Sequence, residues 1–113
     1  MNAFVIDSPS SYGSVDMLRI LANSGINFEK AILNVESQPT DSENSEDWPL
    51  IFECYSELSR DAKFQVRIHM VTCGYSGTGP HDLIECLKIT GFNPFISVNE
   101  IFTNKHIQET FVK

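Results

Sequence analysis

The clearest pattern of apolar and polar positions lies in the middle of the chain. Phe64, Val66, Ile68 and Met70 alternate with Gln65, Arg67 and His69, the period of a strand with one face buried. A shorter apolar run, Phe4-Val5-Ile6, makes residues 1–6 another strand, ended by Asp7, Ser8 and Pro9, which favour turns. Leu18, Leu21 and Ala22 then fall at i, i+3 and i+4, with Met17 and Ile20 widening the stripe. That spacing predicts a helix, capped by Ser14, with Asp16 in its first turn and Gly25 as its stop. Residues 26–35 read as a strand. Phe28, Lys30, Ile32 and Asn34 share one face, and Asn27, Glu29, Ala31, Leu33 and Val35 share the other.

In the second half, Leu50, Ile51, Cys54, Tyr55 and Leu58 fit helical spacing. They predict a helix over 48–60, with Asp47 as cap and Pro49 in its first position. Leu83, Ile84, Cys86 and Leu87 predict a further helix, entered at Pro80 with Asp82 in its first turn and closed by Gly91 after Thr90. Residues 95–102 read as a strand, and residues 105–113 as either a final strand or a frayed end.

The two glycine-bounded helices align at an offset of 66 residues: Gly13 with Gly79, Asp16 with Asp82, Leu21 with Leu87, Gly25 with Gly91, Asn27 with Asn93. Each copy reads strand, turn, helix, glycine, strand, spanning 1–35 and 66–102. Any two capped amphipathic helices share some of this likeness. Taken as a duplicated β-α-β unit with the 48–60 helix inserted, the pattern implies an α/β (α+β) fold, ferredoxin-like or a related two-layer sandwich. The 113 residues make one domain, long enough to bury a core without staples.

Charge narrows the functional classes. The formal net charge is −7, which argues against nucleic acid and against an anionic membrane surface, both of which call for clustered Lys and Arg. No secretory leader is expected from the N-terminal residues, and no apolar run reaches membrane-spanning length. Three widely spaced cysteines, with no CxxC pair, fit buried thiols in a reducing cytoplasm rather than a disulfide or zinc framework. The acids concentrate in residues 36–47, which contain Pro39 and no base and read as a solvated loop followed at once by Trp48. Glu36, Asp41, Glu43, Glu46 and Asp47, with Trp48 as aromatic anchor, form the candidate surface for a protein partner with a basic face.

The most distinctive local chemistry is Gly74-Tyr75-Ser76-Gly77-Thr78-Gly79-Pro80, between a strand and a helix. Backbone N–H groups at the helix start, the Ser76 and Thr78 hydroxyls, Gly77, Gly79 and His81 are the candidate cradle for a nucleotide-like anion. The spacing is neither a Walker A loop nor GxGxxG, and a demanding turn that packs helix on strand needs the same glycines. His69, His81 and Cys73 are the remaining candidates for a metal or Cys–His site, but their spacing matches no ligand motif. No nucleophile elbow is present. No catalytic residue, metal or cofactor is expected.

The segment from Cys73 to Leu83 resembles a GY-x-G-x-GP-x-x-L element of small uncharacterised bacterial and phage proteins. That resemblance covers about a tenth of the chain and implies a strand-turn-helix unit without a known activity. In overall profile the chain is similar to contact-dependent growth inhibition immunity proteins, which are small, acidic, cytoplasmic and non-catalytic, each binding one toxin domain. That likeness implies an expectation of toxin neutralisation and carries over no site residue.

Overall fold

The computed structural model describes residues 2–6, 11–37, 48–69, 71–92 and 98–113. Five strands form one sheet: β1 (Asn2–Ile6), β2 (Ile26–Glu36), β3 (Leu50–Ser56), β4 (Ser59–Ile68) and β5 (His106–Val112). Three helices accompany them: α1 (Ser11–Asn23), α2 (Thr78–Ile89) and the short α3 (Val98–Thr103). The strand order is β1-β4-β3-β2-β5. β2, β3 and β4 form an antiparallel meander, β5 pairs antiparallel with β2, and β1 lies parallel to β4. The result is an α+β two-layer sandwich. It differs from the ferredoxin-like arrangement in having three consecutive strands between its two long helices, β1 at the edge of the sheet and the last strand paired with β2.

The sheet reads cleanly from side-chain alternation. Val66 and Ile68 in β4, Leu50, Phe52 and Cys54 in β3, and Ala31, Leu33 and Val35 in β2 are all essentially fully buried. They meet Leu18 and Val15 of α1 and Leu83, Ile84, Cys86 and Leu87 of α2 in one core. Phe52 stands at its centre. Its ring lies edge-on to Phe28, with centroids 5.2 Å apart, and stacks on Phe92 at 6.0 Å. It therefore ties two strands to the segment that follows α2.

The structure corrects the sequence reading in four places. The helix expected over 48–60 is β3 and the hairpin into β4. Leu50 and Cys54 satisfy a helical spacing only because a two-sided strand also places apolar residues four apart. Phe52, outside that stripe, is buried, while Leu58, inside it, is 97% exposed. In β2, the register shifts between Phe28 and Lys30. Glu29 is thus an extra residue, a β-bulge, and Phe28 joins Ala31, Leu33 and Val35 on the core side instead of Lys30 and Ile32. Of residues 95–102, expected as strand, 98–102 belong to α3, while 95–97 lie outside the described residues. Met17 and Ile20, expected to widen the buried stripe of α1, are exposed.

Helix boundaries also shift. α1 begins at Ser11, so Ser14 is a fully buried helical residue, not a cap. α2 begins at Thr78, so Pro80 is its third residue and Asp82 lies beyond its first turn. The exits are as expected. Gly25 and Gly91 have φ of 82° and 86°. At Gly91 the N–H of Phe92 reaches the Leu87 carbonyl and that of Gly91 the Lys88 carbonyl, the paired bonds of a Schellman stop. Lys113 closes the same end: its ammonium donates to the Thr90 carbonyl at 2.5 Å and lies over the Phe92 ring. The terminal segment left undecided by sequence is β5. No helix among the described residues is long and apolar enough to cross a membrane.

Candidate functional site

The registers place one set of strand termini together. Ile6, Ile68 and Leu50 are successive neighbours across β1, β4 and β3, and Glu36 faces His106 across β2 and β5. The connections carrying residues 37–48, 69–77 and 104–105 therefore all leave from this end of the sheet. Because β1 and β4 are parallel and each is followed by a helix, α1 and α2 also begin there. The two segments singled out by sequence, the acidic stretch and the glycine turn, are thus rooted side by side. Backbone bonds join them: Cys73 N–H donates to the Glu36 carbonyl at 3.2 Å, Ser37 N–H to Lys105 at 3.0 Å, and Gly74 N–H to Ile101 at 2.8 Å.

Glu36 is the last residue of β2 and is exposed. Trp48 is half-buried just before β3, with its ring edge-on to His69 at 5.6 Å. Its indole Nε1 is buried and has no hydrogen-bond partner among the described residues. Asp41, Glu43, Glu46 and Asp47 lie outside the described residues. Glu36 and Trp48 bracket them at the two roots of the connection, since Asn34 N–H donates to the Pro49 carbonyl at 2.9 Å.

In the glycine turn, Ser76, Thr78 and His81 are exposed while Gly79 is buried. Gly77 caps α2 in extended backbone and, having no side chain, supplies no side-chain cap to the helix start. His81 is held edge-on to Phe102 of α3, centroids 4.8 Å apart. Each glycine has a packing reason. Gly74 has φ of 81°, and a Cβ there would sit 2.8 Å from the Asn104 carbonyl oxygen. Gly77 leaves room for the Tyr75 ring, which a Cβ would approach to 2.7 Å. Gly79 makes room for the Thr72 hydroxyl, 1.8 Å from where its Cβ would be, and for the Tyr75 hydroxyl at 2.7 Å. Thr72 Oγ1 and the Tyr75 hydroxyl are themselves hydrogen-bonded at 2.7 Å. Tyr75 thus folds back over the glycines. It was absent from the sequence-derived site, although a large aromatic two and four residues before glycines is a signal that something must fill the space they leave.

Cys73 is buried and its thiol donates to the Val35 carbonyl at 3.4 Å. Burial pushes its pKa up, the wrong direction for a nucleophile. No cluster of three or more His, Cys, Asp or Glu side chains able to hold a metal occurs among the described residues. The other two thiols are equally internal, and burial pushes that of Cys54 up to about 12. All three should resist a disulfide reagent at mildly alkaline pH in native protein and react together in strong denaturant. Fast labelling of any one would place it on the surface. The same burial has a sign in stability. The raised pKa favours the folded state fully below the unfolded thiol pKa of 9.0, and this contribution fades as pH rises from there toward about 12. Denaturant midpoints should therefore fall across that window, the unfolding free energy dropping by at most about 1.4 kcal/mol per pH unit for Cys54.

Comparison with protein-family models, curated proteins and solved structures gives no match to this chain.

Proposed function

We propose that the chain is a non-catalytic, cytoplasmic binding protein that neutralises a cognate toxin or effector domain, in the manner of a bacterial immunity protein. The observation that carries this reading is the placement of the two described residues that flank the acidic segment. Glu36 and Trp48 stand at the same end of the sheet, where Cys73 N–H donates to the Glu36 carbonyl and Asn34 N–H to the carbonyl of Pro49, the residue after Trp48. Five acids and no base in residues 36–47 complement a cationic partner such as a nuclease active site, and long-range attraction speeds such encounters. Trp48 supplies an aromatic side chain at the edge of that charge, the residue type that dominates binding energy at interfaces.

The alternative, an anion site at 74–81, loses its main support, because all three glycines answer to the packing of Tyr75, Thr72 and Asn104. The deciding experiment is co-expression with the products of the flanking open reading frames, tested for one whose expression alone arrests growth. Rescue of growth is expected, with the charge reversals Glu43→Lys, Glu46→Lys and Asp47→Lys together weakening the purified complex on the order of 100-fold, about 2.8 kcal/mol. Undiminished affinity in that variant would remove the acidic surface from the reading, and no rescue would remove the function.

A further inference from the structure

The end of the sheet opposite the acidic connection holds a feature that this function does not use. At Glu29 the bulge interrupts the β2–β3 ladder: Phe28 faces Cys54 and Lys30 faces Glu53, with Glu29 left over. Its carbonyl instead accepts the Lys113 N–H at 3.1 Å. Bulges bend a strand and re-aim its side chains, and they recur beside binding sites. Here the bend leaves a hollow of about 400 Å³, lined by Asn27, Glu29, Lys30, Glu53, Tyr55 and Lys113 among others. That volume lies within the range of small-molecule sites.

The polar groups of the hollow come in opposite charges. Lys30 Nζ stands 3.6 Å from the Glu53 carboxylate, with both side chains partly exposed. This is longer than a charge-assisted hydrogen bond, which runs to about 2.7–2.9 Å. Each group therefore keeps bonding capacity: an ammonium has three donors, and a carboxylate has lone pairs to spare. Glu29 is engaged by Lys63 at 3.1 Å, and the Lys113 ammonium by the Thr90 carbonyl and the Phe92 ring, which leaves Lys30 and Glu53 as the matched pair of the lining. Tyr55, directly opposite Asn27 across the ladder, adds an aromatic wall and a hydroxyl, and Asn27 adds an amide that both donates and accepts.

The geometry points to a binding site for a small zwitterion of the amino-acid type, its carboxylate on Lys30 and its ammonium on Glu53, with its side chain against Tyr55. A ligand carrying only one charge would leave one member of the pair facing its own like charge or nothing. The site is remote from the acidic connection, so it stands or falls independently of the toxin-neutralising reading.

The test is an amide-resolved NMR titration of the full chain with free L-amino acids spanning aliphatic, aromatic and charged side chains. Each is accompanied by its N-acetyl and methyl-ester forms, which lack one charge. At least one free amino acid should give saturable shifts confined to residues 27–30, 53–55 and 112–113, and both blocked forms should bind at least tenfold more weakly. Lys30→Met and Glu53→Gln, their fold checked by the same spectra, should each weaken binding at least tenfold. Absence of saturable shifts with every amino acid, or equal binding of the blocked forms, overturns the proposal. The blocked-ligand comparison needs no variant and decides the matter even if a substitution disturbs the strand.

Discussion

Phe52→Ala is expected to lower stability by about 3–5 kcal/mol, the cost of deleting a buried aromatic and leaving a cavity. Phe52 is fully buried at the middle of the central strand, between Phe28 of the neighbouring strand and Phe92 beyond α2. No single neighbour can relax into the space, because the rings that touch it are held by different elements. A domain of this size has only about 5–15 kcal/mol of net stability, so the change removes a large share. Thermal melts should show a drop of roughly 4 °C per kcal/mol lost. Leu58→Ala is the control. Leu58 is 97% exposed in the β3–β4 turn, and its substitution should stay within about 0.5 kcal/mol. Equal effects at the two positions would contradict a strand at 50–56 and restore a helix there.

The glycine turn provides the second large effect. Gly74→Ala combines two costs. A φ of 81° is strained for any residue with a Cβ, and that Cβ would meet backbone, the Asn104 carbonyl oxygen at 2.8 Å and Lys105 Cα at 2.9 Å. Backbone cannot swing away as a side-chain tip can. The expected loss is about 2–4 kcal/mol, the sum of an unfavourable left-handed residue and overpacking. Gly25→Ala isolates the first cost, since φ is 82° there with nothing within 4 Å, and about 1 kcal/mol is expected. Gly79→Ala isolates the second. Its obstacle is the Thr72 hydroxyl at 1.8 Å, so its cost should shrink when Thr72→Ala is added, a coupling that a double-mutant cycle measures. Denaturant midpoints of the three variants, ranked with Gly25→Ala mildest, check the scheme. A Gly74→Ala no worse than Gly25→Ala would mean that the turn is not packed on residues 104–105.

Much of this architecture was legible along the chain, for reasons that specific residues make plain. Val66 and Ile68 alternate with polar neighbours, so β4 announced itself. Gly25 and Gly91 stop their helices through backbone geometry that few other residues tolerate. The errors fall where two periods coincide or where a local count slips. Residues 50–58 carry apolar side chains at spacings that fit both a helix and a strand, and only Phe52 distinguishes them. One bulged residue, Glu29, reversed the faces assigned to the start of β2, before the bulge. Residues 98–103 gave no contrast between strand and helix, and six residues of α3 are too few for a helical stripe to emerge. The candidate site was legible in part. Residues 36–48 and 74–81 stood out separately, but that Glu36 and Trp48 share one end of the sheet with the glycine turn depends on long-range pairing, such as Cys73 with Glu36, which local pattern does not encode. Thr72 and Tyr75 escaped notice because their role is to fill space left by glycines rather than to display chemistry of their own.

The strand order has a consequence for how the molecule opens. The meander β2-β3-β4 is contiguous in sequence and forms the interior of the sheet, while the two outermost strands are drawn from the opposite extremes of the chain. β1 reaches its partner β4 only across some sixty positions of intervening chain, a costly closure that local hairpins avoid. Either outer strand can detach without breaking a hairpin of the meander. Amide protons should accordingly exchange in a graded order, fastest in β1 and β5 and slowest around Phe52, so that the interior survives excursions that strip the sheet from both sides.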